Sequence, residues 1–265
     1  MTAVTRFNRA IVRRPARSVT QGLRAVDLGA PTFDGVSREH EAYCAALRDA
    51  GVELTVLEPM EEFPDSIFVE DPALVFEEGA ILLNPGAESR AGETPAIEAD
   101  IRAHFDNVLS IDQGTVEGGD VLVTPRAVLI GLSERTNHAG ANALIAALET
   151  LGRKGEIFHT PPGVLHFKSD CSLLDDETVL ATSRLADSPA FDGMIVVETP
   201  EGEEAAANAL RVNDVVMLGE DFPGTRELLQ AKGYEVVSLP TAEIGKIDAG
   251  LSCMSLRWWK SSTST

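Results

Sequence analysis

Val121-Leu122-Val123-Thr124-Pro125-Arg126-Ala127-Val128-Leu129-Ile130 sets two apolar runs on either side of a Thr-Pro-Arg step. Proline and its polar neighbour favour a turn, so the stretch predicts a β-hairpin. Thr136 to Leu151 follows with apolar residues at helical spacing and stops at Gly152, a common helix terminator. Glu156-Ile157-Phe158 then reads as another strand. The unit is strand, turn, strand, helix, strand.

The same grammar extends outward in both directions. Upstream, Ala73–Phe76 and Ala80–Leu83 precede a helix over Thr94–Phe105, with Thr94 as cap and Pro95 in the first turn, and a strand at Val108–Ile111. Before them stand a strand at Ala10–Arg14, a helix over Asp34–Gly51, a strand at Val52–Leu57 and a short apolar strand, Ile67–Val69. Downstream, Ser172–Leu174 and Val179–Ala181 flank Asp175-Asp176-Glu177, followed by a helix over Leu185–Phe191 and a strand at Met194–Val197. Ala209–Val212 and Val215–Leu218 flank Asn213-Asp214, with a helix over Thr225–Lys232 and a strand at Tyr234–Val237. The run after Cys253 is expected to pair with the opening strand. The unit thus recurs about five times at a period of roughly 40 to 55 residues, in the range of closed or stacked arrays. Units that each bury one face predict a ring with loops gathered at its centre. Strand–helix alternation alone leaves an ordinary three-layer α/β domain open. No linker splits the chain, so one domain is expected over 1–258, with a disordered tail at 259–265.

Composition narrows the function. The 265 residues suffice for a sizeable core, and a formal net charge of -20 gives no basic stripe for duplex nucleic acid. No apolar run reaches the length of a membrane span, and the N-terminus lacks the apolar core of a signal peptide. Three cysteines, Cys44, Cys171 and Cys253, make no disulfide framework, so a reducing cytoplasm is expected.

Chemistry concentrates in four places. Cys253 stands between Ser252 and Met254 beyond a glycine-bearing loop, at the head of an apolar run. A thiol at the mouth of a buried strand faces a pocket from a rigid backbone, as a nucleophile must; most free cysteines are simply small core residues. Phe63-Pro64-Asp65-Ser66-Ile67-Phe68-Val69-Glu70-Asp71-Pro72 places Glu70 and Asp71 at a strand end, where carboxylate oxygens suit a planar guanidinium; a solvated acidic turn is the plainer alternative. In Thr115-Val116-Glu117-Gly118-Gly119-Asp120, the double glycine permits close backbone approach to a ligand, although a plain loop explains it as well. Of five histidines, only His166 reads as part of an alternating strand, where a satisfied core histidine is the commoner outcome. Neither metal-ligand spacing nor a phosphate-binding glycine loop is present, so no metal or cofactor is expected.

Taken together, these motifs resemble the dimethylarginine dimethylaminohydrolase family, within the guanidino-modifying superfamily that shares the five-bladed α/β propeller, or pentein, fold. The similarity runs from about Arg13 to Trp258. It includes Pro15-Ala16-Arg17-Ser18, the Phe63–Asp71 stretch, Pro85–Arg90, Thr115–Asp120, Arg135-Thr136-Asn137, Leu165–Lys168, Lys246-Ile247-Asp248 and Ser252–Arg257. The resemblance implies a five-bladed ββαβ propeller that hydrolyses Nω-methylated arginine to citrulline and a methylamine. It casts Cys253 as nucleophile, His166 as acid and base, and Glu117 as the group orienting His166. Asp71 with Glu70 would grip the guanidinium, and Phe68 would line the substrate site. Arg90 and Arg135 would take the α-carboxylate, while Asp65 and the carbonyls of Leu23 and Ile247 would take the α-amino group. The loop Arg17–Gly29 is suggested as a lid. Gly118 and Asp170 fall where members of the family vary. The implied partner is a small-molecule substrate, without nucleic acid or membrane, and a homodimer is compatible. An arginine deiminase releasing ammonia and a non-catalytic arginine-analogue binder are the alternatives; the first usually carries a helical insertion that this chain lacks, and the second needs no Cys-His-Glu set.

Overall fold

The computed structural model describes residues 4–261. β1 (Arg9–Arg13) leads through α1 (Phe33–Asp49) to β2 (Glu53–Leu57), which pairs parallel with it. β3 (Ala73–Phe76) and β4 (Gly79–Leu82) form a hairpin, and α2 (Glu93–Arg102) crosses to β5 (Val108–Ser110), parallel to β4. The Val121 unit repeats this pattern: β6 (Val121–Val123), β7 (Val128–Leu132), α3 (His138–Thr150) and β8 (Gly155–His159). Next come β9 (Cys171–Leu173), β10 (Thr178–Ala181) and β11 (Ile195–Glu198), then β12 (Leu210–Val212), β13 (Val215–Gly219), α4 (Pro223–Ala231) and β14 (Glu235–Leu239). β15 (Leu256–Trp258) returns to pair antiparallel with β1, placing Arg9 opposite Trp258. The first blade is therefore built from both ends of the chain, which closes the ring.

Each blade has one antiparallel and one parallel strand pair, and the parallel pair requires a crossover. In four blades a helix supplies it. Among the described residues the fourth blade has no α-helix. The core lies between blades, in five clusters that each join two neighbours. Strand alternation explains this: Ala10 and Val12 face the fifth blade while Ile11 faces the second, so both faces of β1 are apolar. The first strands β3, β6, β9, β12 and β15 line an axial cavity. The expected ring of five ββαβ units is thus present, without the helix in one of them.

Several local expectations are overturned. The helix over Leu185–Phe191 is a turn and a short 3-10 segment, Pro189–Phe191, because Pro189 lacks an N–H and restrains Ser188. Thr94 is not the cap of α2; Gly92 is, and the Thr94 hydroxyl donates to the Leu83 carbonyl. Ile67–Val69 is not a strand. It is a pair of buried turns in which the Phe68 N–H bonds to Asp65 O and the Asp71 N–H to Phe68 O. His166 and Cys253 are likewise off the strands: each lies in or beside a 3-10 turn, Phe167–Ser169 and Leu251–Met254. Within the expected tail, Lys260 is held by a two-way hydrogen bond with Asn8, and residues 262–265 lie outside the described residues. Among the described residues no helix is long and apolar enough to cross a membrane.

Candidate active site

The turns that lead into the first strands carry four ionisable side chains expected from the sequence: Asp71 before β3, Glu117 before β6, His166 before β9 and Cys253 before β15. All four line one narrow pocket with Leu23, Asp65, Phe68, Arg90, Arg135 and Ile247. Turns suit this task because a lead-in residue leaves the ladder and can aim its side chain along the ring axis. Leu165, Asp248 and Ala249 also line the pocket and were not singled out from sequence. Leu165 and Asp248 sit inside motifs quoted above; Leu165 and Ala249 are apolar and carried no chemical signal, and Asp248 was one acid among 42 in a strongly acidic chain.

Within the pocket, Glu117 Oε2 lies 2.6 Å from His166 Nε2. Its other oxygen accepts the Ala87 N–H at 3.0 Å, so the acid is held from both ends. The ring lies tightly over Gly119, where a Cβ would stand 2.6 Å from His166 Nδ1; no other residue permits that approach. A Cβ on Gly118 would come 1.9 Å from the Glu70 carbonyl. Burial alone would lower the His166 pKa, but the hydrogen bond to Glu117 and the charges of Asp71, Asp120 and Glu117 outweigh it, giving about 9. His166 is therefore an imidazolium at neutral pH.

Cys253 is buried and unpaired. Burial first, then the charges of Glu70 and Asp71, push its thiol up to about 12, against the opposing Gly250 contact and Lys168. The ligand-free pocket thus holds a protonated thiol. Asp71 is fully enclosed, yet Arg90, His166 and the Gly119 N–H (2.9 Å) outweigh its burial and keep its carboxyl below the ordinary value. Burial raises Asp65, although the Arg90 charge and the Leu23 N–H at 2.9 Å oppose it.

The two arginines are unequal. Arg90 pairs with Asp71, reaches Glu93 at 2.9 and 2.6 Å, and donates to the carbonyls of Phe68 (3.0 Å) and Asp65 (3.3 Å). With its fork largely filled, it braces the pocket floor. Arg135 is less enclosed, its nearest carboxylate being Glu117 at 3.9 Å. The loop around Leu23 is tied down by Asp65 and by Asp248, which accepts the Ala25 N–H.

Glu70 is the exception to the expected grouping. Its carboxylate turns away from the pocket into the axial cavity, where it meets Lys168 (2.6 Å), Arg257 (3.1 Å) and Ser252 Oγ (3.1 Å). Asp71 and Cys253 face one cavity while their sequence neighbours Glu70 and Ser252 face the other. This wall separates the larger axial cavity from the narrow pocket that Asp71, Glu117, His166 and Cys253 line. One donor atom each from Asp71, Glu117 and His166 come within 4.8 Å of one another, a spacing that also suits a cation. Those carboxylates already accept hydrogen bonds from Arg90, Gly119 and Ala87, so the donor set fits a protein-held proton and an organic cation better than a resident metal.

A closed ring of ββαβ blades with a cysteine, a carboxylate–histidine pair and a second buried carboxylate defines the class of guanidino-modifying propeller enzymes. Residues 56–188 match the family described as arginine deiminase. The chain is 41% identical over 254 residues to the N(G),N(G)-dimethylarginine dimethylaminohydrolase of Pseudomonas aeruginosa, covering 95% of this chain and 100% of that protein. The Streptomyces coelicolor protein of the same name is 34% identical, covering 94% and 96%. A crystal structure of the P. aeruginosa enzyme, a cysteine-to-serine variant complexed with citrulline, superposes with a TM-score of 0.92 over 95% of this chain and 99% of that one. The chain belongs to the dimethylarginine dimethylaminohydrolase family.

Proposed function

We propose that this protein hydrolyses Nω-methylated arginine to citrulline and a methylamine through a covalent intermediate on Cys253. The observation that carries the reading is the meeting of the Cys253 thiol, the Glu117–His166 pair and the Asp71 carboxylate in one pocket. Guanidinium is a resonance-stabilised, poor electrophile, so it requires both a thiolate and a held geometry. Asp71 and Glu117 offer acceptor oxygens to its planar N–H groups. The incoming cation also offsets the carboxylate charge that holds the thiol protonated, and the thiol proton leaves to solvent as the substrate settles. Sulfur then bonds to the central carbon. The imidazolium of His166 protonates the departing amine as the C–N bond breaks, leaving an S-alkylthiouronium. Neutral His166 next takes a proton from water, the hydroxide adds to the same carbon, and the C–S bond breaks to return thiolate while the new hydroxyl's proton passes to solvent, giving citrulline. Arg135 is the group most free to hold the α-carboxylate, with Asp65 and the Leu23 and Ile247 carbonyls at the α-amino end. Arg90 acts mainly by holding Asp71 and the floor.

The three unpaired cysteines support a reducing cytoplasmic setting, and closure of β1 onto β15 supports a single catalytic unit over 1–258. Sedimentation would decide between monomer and homodimer. The match to the arginine deiminase family description favours deimination of arginine as the second reading. Incubation with dimethylarginine, monomethylarginine and arginine separates them. Citrulline and methylamines from the methylated substrates are expected; citrulline with ammonia from arginine alone would establish the second reading, and no citrulline from any would leave a binding protein. Cys253→Ser is expected to lose turnover by about 10³-fold or more while still binding substrate.

A further inference from the structure

We infer that Asp120 is the positioning residue of the Glu117–His166 pair, a single buried carboxylate that holds the backbones of both and of Arg135. Asp120 is wholly inaccessible and lies outside the pocket lining. Its Oδ1 accepts the N–H of Phe167, the residue after His166, at 2.9 Å. Its Oδ2 accepts the hydroxyls of Thr136 and Ser133, each at 2.6 Å. The same Thr136 oxygen accepts the Glu117 N–H at 3.2 Å, and the Ser133 oxygen accepts the Arg135 N–H at 2.9 Å. One carboxylate therefore links the lead-in turns of the third and fourth blades and the loop of Arg135. These turns have no ladder of their own, so their register rests on such bonds.

Every hydrogen-bond donor to Asp120 is neutral; burial raises its pKa, and the charge of His166 leads the influences that oppose this. The charged or titratable groups set around His166 are Glu117, Asp71 and Asp120, with Cys253 and Arg135 also lining the pocket. Asp120 thus acts on His166 twice: through its backbone, which sets where the ring lies, and through space, where its negative charge favours the imidazolium.

This inference rests on the acid–base role proposed for His166, but its first test needs no turnover. In the ligand-free protein, NMR titration of His166 should show a pKa lower by about one unit or more in Asp120→Asn than in wild type, because an anion beside the cation has gone. In steady-state assays Asp120→Asn should lower kcat about 10- to 100-fold with KM within about threefold, and move the kcat limb assigned to His166 to lower pH. Thr136→Val keeps the Asp120 charge but removes the link to Glu117. It should lower kcat with the His166 titration nearly unchanged. An unshifted His166 in folded Asp120→Asn, or kcat within about twofold in both variants, overturns the inference. An inactive wild type with the His166 shift intact would instead count against the proposed function and leave the positioning role standing.

Discussion

Asp71 acts on Cys253 in two opposed ways. In the proposed reaction it cradles the substrate cation, and its charge is among the reasons the thiol is held protonated. Asp71→Asn should therefore speed alkylation of Cys253 by iodoacetamide in the ligand-free protein at neutral pH, while kcat/KM for methylated arginine falls by roughly 100-fold or more. Slower alkylation in that variant would contradict the electrostatic account. The residue types were legible in the sequence: a cysteine, a histidine and carboxylates in separate motifs. Their directions were not. Glu70 and Asp71 are adjacent and chemically alike, yet they face different cavities, and only the turn between Phe68 and Asp71 decides which is which. Arg90, expected with Arg135 at the α-carboxylate, is instead largely taken up by Asp71 and Glu93, and nothing local in the sequence marks that pairing.

At the scale of elements, α1 carries a titration that has no part in the pocket. His40 is buried against Cys44, and burial lowers its pKa to about 4. In the unfolded chain it binds a proton near 6.5, so below that value the unfolded state gains protons that the folded state refuses. The stability this histidine confers is present above about pH 6.5 and is lost as pH falls toward 4. The whole effect is about 3 kcal/mol at most. His40→Leu should flatten the dependence of Tm on pH across that window, as calorimetry at a series of pH values would show. The strands and the four helices were readable because period-2 and period-3.6 apolar patterns record burial directly. The lead-in turns were misread as strands for the same reason: Ile67, Phe68 and Val69 are apolar because they are buried, and apolarity alone does not distinguish a buried turn from a buried strand.

For the molecule as a whole, ring closure depends on β15 laying Trp258 against the second blade. Trp258 is buried beside Phe105, at 4.9 Å between ring centroids, and beside His104 at 5.5 Å. Trp258→Ala should cost about 3–5 kcal/mol and lower Tm by roughly 6–20 °C for a chain of this size. Because the same strand begins just after Cys253, activity should fade in step with unfolding in that variant. An unchanged Tm would show that the ring is held without its closing strand.

The repeat unit, the number of blades and the pairing of the two chain ends follow from patterns that each residue carries by itself: apolar periodicity, turn-forming residues and helix stops. The list of reactive side chains came instead from the resemblance of the motifs to a known family, because Cys253, His166 and Glu117 each had a plainer structural reading alone. The meeting of Cys253 with Glu117 and His166, the turning of Glu70 into the axial cavity and the tie from Asp120 to two blades were decided only by the closed tertiary structure. Each depends on turns far apart in sequence being brought to one axis, and no local pattern encodes the direction a side chain takes once its backbone has left the ladder.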